Sequence, residues 1–170
     1  MRAMSSQNQV FIHPLEASGV SAVLEIISGC RRKYSLAGRV HSILEPANYA
    51  MLDLYGQQRS TYVVAVVGGC IVGGGGIAPL ADGQQITCEL QRMYLHLANR
   101  GLGTGQLLLA ECIQVARRFG FERCYAETIS EMTTALAFYQ RNGFRSLTAP
   151  VGCTGHSHND CRMMLDIRAL

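Results

Sequence analysis

The sequence is poor in charge and almost without lysine. Of 170 residues only 16% are charged, and Lys33 is the single lysine beside fourteen arginines. With a net charge of only +3 and an apolar share of 48%, the composition excludes a disordered chain. The arginines are scattered, with Arg31-Arg32-Lys33 as the one basic run, so no stripe for nucleic acid is present. Met1–Val10 has one arginine followed by polar residues and lacks the apolar segment of an export signal. The expected compartment is therefore the cytoplasm. The seven cysteines (Cys30, Cys70, Cys88, Cys112, Cys124, Cys153, Cys161) are odd in number and read there as reduced thiols, mostly in the core. No internal repeat, low-complexity tract or linker divides the chain, so residues 1–170 are expected to form one domain, long enough to bury a sizeable core.

Glycine is concentrated in two places. Six of the 18 glycines lie between Gly68 and Gly76, and three more are Gly101, Gly103 and Gly105. The first group falls within Ser60–Ala81, a stretch without charge and long enough to cross a bilayer. Its glycines and Pro79 break it into short β-branched runs, the pattern of a hairpin and not of a spanning helix.

The periodicity predicts a short strand at Gln9–His13, stopped by Pro14, and a helix over Leu15–Cys30 with Val20, Val23, Leu24 and Ile27 on one face. Gly29 and Arg31-Arg32-Lys33 suit that helix's C-terminus. A short helix after Pro46 carries Tyr49, Leu52 and Leu54. Thr61–Val67, Cys70–Ala78 and Gln85–Leu97 form an antiparallel meander. Helical spacing returns over Gly105–Phe119, followed by a strand at Arg123–Thr128 and a helix from about Met132 to Arg141. Phe144–Leu147 and Cys161–Ile167 can pair as a last hairpin around Thr148–Asp160. The expected class is α+β.

The most informative segment is Arg100-Gly-Leu-Gly-Thr-Gly105, after a strand and opening a helix. Closely spaced glycines let backbone N–H groups approach an anion, and the helix N-terminus adds its positive end. The expected ligand is a phosphate or pyrophosphate. A P-loop is excluded because Gln106-Leu107 follows where Lys and Ser or Thr are needed. A dinucleotide loop would follow the first strand of a parallel sheet and is spaced differently.

Arg100-x-x-Gly103-x-Gly105 resembles the Arg/Gln-x-x-Gly-x-Gly/Ala pyrophosphate motif of the GCN5-related N-acetyltransferase (GNAT) superfamily. Glu127-Thr-Ile-Ser-Glu-Met132, Ala135-Leu-Ala-Phe-Tyr139 and Asn142-Gly-Phe144 are similar to its fifth strand, next helix and Tyr-x-x-x-Gly-Phe element. Thr154-Gly-His156-Ser, with Asp160 and Met163, resembles a bacterial branch sharing the Glu-Thr-x-x-x-Met stretch. The resemblance implies a mixed, mostly antiparallel sheet flanked by helices, with acetyl-coenzyme A as co-substrate. It implies that Arg100, Gly101, Leu102, Gly103, Thr104 and Gly105 cradle the pyrophosphate. Met93, Tyr94 and Leu95 would bond the pantetheine arm in a gap between splayed fourth and fifth strands. Gly73–Gly76 would neighbour that site without taking part. Many members of the superfamily form homodimers.

Acetyl transfer needs a neutral amine, a stabilised oxyanion and a proton for the departing thiolate. The resemblance makes Tyr139 the acid, against its reading as a core aromatic. Glu89, eleven residues before Arg100, resembles the basic Glu on the same strand of the histone acetyltransferase branch and is the candidate base. Cys88, Leu90 and Met93 would partly desolvate it and raise its pKa; the alternative is a structural carboxylate pairing with Arg92 or another Arg. Glu127, Thr128 and His156 are candidates for the acceptor. Met132 stands where many relatives have Asn, so a side-chain bond to the arm there is not expected. Cys153, His156, His158 and Cys161 crowd four soft ligands into nine residues, too tightly for zinc-knuckle pairs, so a substrate-gating loop is preferred and no metal is expected. Acylation of Cys88 lacks a histidine placed to activate it, so direct transfer is preferred. The acceptor is expected to be an amine of a small molecule or amino acid. The alternatives are a protein N-terminus or lysine, or a coenzyme A sensor without turnover. Neither nucleic acid nor membrane is expected as a partner.

Overall fold

The computed structural model describes residues 9–35, 48–154 and 159–169. Seven strands form one sheet in the order β1-β2-β3-β4-β5-β7-β6. They are β1 (Val10–Pro14), β2 (Thr61–Val67), β3 (Cys70–Pro79), β4 (Thr87–Leu95), β5 (Arg123–Thr128), β6 (Arg145–Leu147) and β7 (Cys161–Asp166). Every pairing is antiparallel except β4 with β5. The helices are α1 (Val20–Ser35), α2 (Asn48–Tyr55), α3 (Thr104–Arg118) and α4 (Thr133–Arg141).

Alternation along the strands divides the buried side chains between two cores. On one face, Val63, Ala65, Cys88 and Leu90 meet Leu108, Cys112, Ile113 and Ala116 of α3, with Leu136, Phe138 and Tyr139 of α4 packed against them. On the other, Tyr62 and Val64 meet Val20, Val23 and Ile27 of α1 and Met51 and Tyr55 of α2.

The charge-free stretch is the hairpin β2–β3, turned at Gly68 (φ 57°) and Gly69 (φ 80°), two positive angles of the kind a tight primed turn requires. Among the described residues no helix is long and apolar enough to cross a membrane. The other glycines of β3 do more than form backbone. A methyl group on Gly74 would collide with the ring of Tyr62, and one on Gly76 with the ring of Tyr55. The bare strand is the bed on which two tyrosines lie, their centroids 5.1 Å apart.

Most boundaries shift from the periodicity by a residue or two, with Pro14 closing β1 from inside the strand. The differences with a clear cause lie in α1 and β4. α1 starts at Val20, because Ala17–Gly19 forms a single 3-10 turn after Pro14. It continues through Gly29 and the basic run to Ser35; burial of Ile27 and Cys30 outweighs the roughly 1 kcal/mol an internal glycine costs. β4 stops at Leu95, because Leu97–Asn99 turns tightly and the His96 side chain accepts from the Ala98 N–H at 3.4 Å.

Candidate active site

The parallel strands β4 and β5 stay together only briefly. They pair at Thr87 with Arg123, Cys88 with Cys124 and Glu89 with Tyr125, and there the pairing ends. β4 runs on to Leu95 while still bonded to β3, and β5 turns toward β7. From Leu90 to Leu95 the β5-facing edge of β4 has no strand partner among the described residues. An unpaired edge presents backbone N–H and C=O groups to whatever enters the gap.

A bulge sits on this edge. The β3–β4 register shifts between Gly74 and Gly76, and Arg92 takes the left-handed angle φ 48°. One extra residue in the strand reverses the alternation. Cys88 and Leu90 face the α3 core before it, as Met93 and Leu95 do after it. The Arg92 carbonyl is turned out of the ladder and accepts from the Tyr62 hydroxyl at 2.9 Å.

The gap opens into a cavity of about 720 Å³ lined by Met93, Tyr94, Leu95, Arg100, Gly101, Gly103, Gly105, Met132, Phe138 and Tyr139, among others. Gly101 and Gly103 have φ 76° and 85°. A Cβ on either would meet nothing within 4 Å, so backbone angle, not crowding, selects glycine there. Gly103 caps α3, and the N–H groups of Gly103, Thr104 and Gly105 have no backbone partner among the described residues. These are the orphan donors of a helix start, aimed where an anion is favoured. Arg100 is braced by bonds to the Leu95 carbonyl (3.0 Å) and the Cys30 sulfur (3.4 Å). Thr104 is buried and Leu102 is exposed; neither lines the cavity, although both belong to the predicted motif.

Tyr139 lies on the cavity wall between Phe138 and Phe144, with ring centroids 5.6 and 5.2 Å away. Its hydroxyl has no hydrogen-bond partner among the described residues. Burial pushes its pKa above the ordinary phenol value, which keeps the proton on the oxygen at neutral pH. Met132 lines the same wall and its sulfur accepts from the Thr128 hydroxyl at 3.4 Å. Thr134, Ala135, Arg141 and Asn142 complete this side. Ala135 and Asn142 belong to the motif around Tyr139, and Thr134 and Arg141, on the same helix, are not singled out by it.

Glu89 stands at the vertex of the splay, buried, on the opposite face of the sheet. Burial raises its pKa from 4.5 to about 7, the Gln91 hydrogen bond opposes that rise, Glu127 adds to it and Arg92 opposes it. The Gln91 amide donates to Glu89 at 2.7 Å and accepts from the Tyr55 hydroxyl at 3.1 Å, which fixes the carboxyl group in one orientation. Glu127 accepts from Tyr125 (2.5 Å) and Thr154 (2.6 Å), with the Arg162 Nε at 3.8 Å. Neighbouring Thr128 points to the other face, so the two predicted acceptor residues are separated by the sheet.

The tail comes back to this corner twice. Thr154 binds Glu127, and Asp160 accepts from the N–H and hydroxyl of Ser130, both at 2.8 Å. His156 and His158 lie outside the described residues, and with them the metal and gating readings of the tail. Among the described residues no group of three His, Cys, Asp or Glu side chains is gathered for a metal. Cys88 is buried, with its sulfur donating to the Arg123 carbonyl at 3.3 Å.

A second cavity of about 800 Å³ lies along α1, lined by Leu24, Glu25, Cys30, His96 and Leu97 among others. It is the larger, yet its lining includes neither the glycine loop nor the unpaired strand edge. The glycine loop and the open strand edge both line the smaller one.

The acetyltransferase (GNAT) family model matches residues 22–144. The chain belongs to the GNAT family. This GNAT chain is 35% identical over 147 residues to the uncharacterized N-acetyltransferase YjgM of Escherichia coli K12, covering 86% of this chain and 88% of that protein. Its fold matches a GNAT acetyltransferase from Staphylococcus aureus Mu50 with TM-score 0.81 at 20% identity, over 94% of this chain and 99% of the other. It also matches YncA of Salmonella typhimurium, solved with acetyl-CoA, with TM-score 0.71 at 20% identity, over 94% and 95% of the two chains. Enzymes of this family take acetyl-CoA as donor. The free N–H groups at the α3 start, the open β4 edge and the cavity between them fit such a donor's pyrophosphate and amide-containing arm.

Proposed function

We propose that this GNAT enzyme transfers an acetyl group from acetyl-CoA directly to the amine of a small molecule or amino acid, with Glu89 as base and Tyr139 as acid. The observation that supports this most is the placement of a buried carboxyl group at the vertex of the β4–β5 gap and of a phenol on the wall of the cavity into which it opens. Acetyl-CoA supplies an acyl thioester, whose C–S bond breaks as the amine nitrogen bonds to the carbonyl carbon.

Glu89, with a pKa of about 7, takes a proton from the incoming ammonium near neutral pH. Gln91, itself fixed by the Tyr55 hydroxyl, holds the carboxyl group in place. Tyr139 keeps its proton and has no partner for it among the described residues, so the hydroxyl can donate to the departing sulfur. Gly101–Gly105 and Arg100 hold the pyrophosphate, and Met93–Leu95 align the arm by backbone bonds. Glu127 accepts from Tyr125 and Thr154 at the acceptor side.

Free-thiol release from acetyl-CoA across a panel of amines tests this reading. Acceptor-dependent release with at least one small amine is expected. Tight coenzyme A binding without release for any amine would favour a sensor, and release with peptides alone would favour a protein acetyltransferase.

A further inference from the structure

Arg92 is the bulge residue, held at φ 48°, an angle that costs a non-glycine residue about 1–2 kcal/mol. Its guanidinium is part-buried on the Glu89 face, beside the Tyr55 hydroxyl and 3.3 Å from the Met51 sulfur. Among the described residues it forms no ion pair with a carboxylate. Glu89 gives its nearest oxygen to Gln91 instead. A part-buried guanidinium whose neighbours are a thioether and a phenol has donors left for a planar anion. The bulge brings this cation to the face and strand that carry the base.

Resting on the acetyltransfer reading above, we infer that Arg92 anchors a carboxylate of the acceptor, which makes the acceptor an amino acid or a similarly compact amino-carboxylate. The amine then lies toward Glu89 and the carboxylate toward Arg92, along one strand. A dianionic phosphate fits less well, because Glu89 and Glu127 share this face and repel a second negative charge. A peptide N-terminus has lost its α-carboxylate to the peptide bond.

The test pairs each proteinogenic amino acid with its amide and, for the best acceptor, its decarboxylated amine and its aminophosphonate. Thiol release is measured for the wild-type enzyme, Arg92→Gln and Arg92→Lys, and calorimetry follows the same ligands on the coenzyme A-loaded protein. The amide should lose at least ten-fold in kcat/KM through KM. Arg92→Gln should raise KM and Kd for the amino acid about ten- to a hundred-fold, leave those for the amide unchanged, and keep coenzyme A affinity within two-fold. Arg92→Lys should recover part of the loss. Amides accepted as well as acids, or a variant that weakens both equally, would overturn the carboxylate anchor and leave acetyl transfer standing. Absence of thiol release with any amine would overturn acetyl transfer, while carboxylate-selective binding lost in Arg92→Gln would still support the anchor. Absence of amino acid binding would overturn it.

Discussion

At the scale of single residues the account rests on how burial tunes two oxygen acids. The unfolded Glu89 carboxyl loses its proton near 4.5 and the folded one near 7. Between those values the folded state holds the extra proton, so stability falls as pH rises through that window. Glu89→Gln escapes the penalty. Its urea-derived stability relative to wild type should rise between pH 5 and pH 8 by on the order of 1–3 kcal/mol. Over the same range kcat/KM of the wild type should climb with an apparent pKa near 7, and the variant should lose that limb. Tyr139→Phe should lower kcat about a hundred-fold with coenzyme A affinity within two-fold; unchanged turnover would remove Tyr139 as the acid. The sequence pointed to both residues, Glu89 by its spacing from Arg100 and its apolar neighbours and Tyr139 by the motif around it; their roles are what these variants test. Arg92 as a feature of its own was not, because its importance comes from a bulge, and the alternation of apolar residues does not reveal which position takes the extra residue.

At the scale of elements the two glycine groups separate by cause. Gly103 is needed for its angle, and Gly103→Ala should cost about 1–2 kcal/mol and weaken coenzyme A binding. Gly105 opens the helix, and an added methyl meets Leu95 and Phe138 at an ordinary 3.7 Å. Gly105→Ala should therefore fold as well as wild type or gain about 0.5–1 kcal/mol, as calorimetric unfolding would show. In β3 the cause is crowding. Gly74→Ala drives a methyl into the buried Tyr62 ring and should cost about 1–3 kcal/mol, read as a lower urea midpoint. The turn at Gly68-Gly69 could be read from sequence because its chemistry is local. The tyrosine bed could not, because Tyr55 and Gly76 meet only through tertiary packing.

At the scale of the whole molecule, one parallel pairing inside an otherwise antiparallel sheet creates the cleft. Strand and helix order, the glycine loop and the helix bearing Tyr139 were all visible along the chain. The splay follows from where β4–β5 pairing stops, a long-range fact that only the family resemblance anticipated. The division of Glu127 from Thr128 is plain strand alternation and could have been read locally. On the proposed function the donor binds in the cavity between β4, the α3 start and α4, and not in the one along α1. Backbone amide exchange with and without coenzyme A decides this most directly. Slowed exchange is predicted at Met93–Leu95 and Gly101–Gly105, with α1 around Glu25–Cys30 unchanged. Protection along α1 and His96–Leu97, with the glycine loop unaffected, would contradict it.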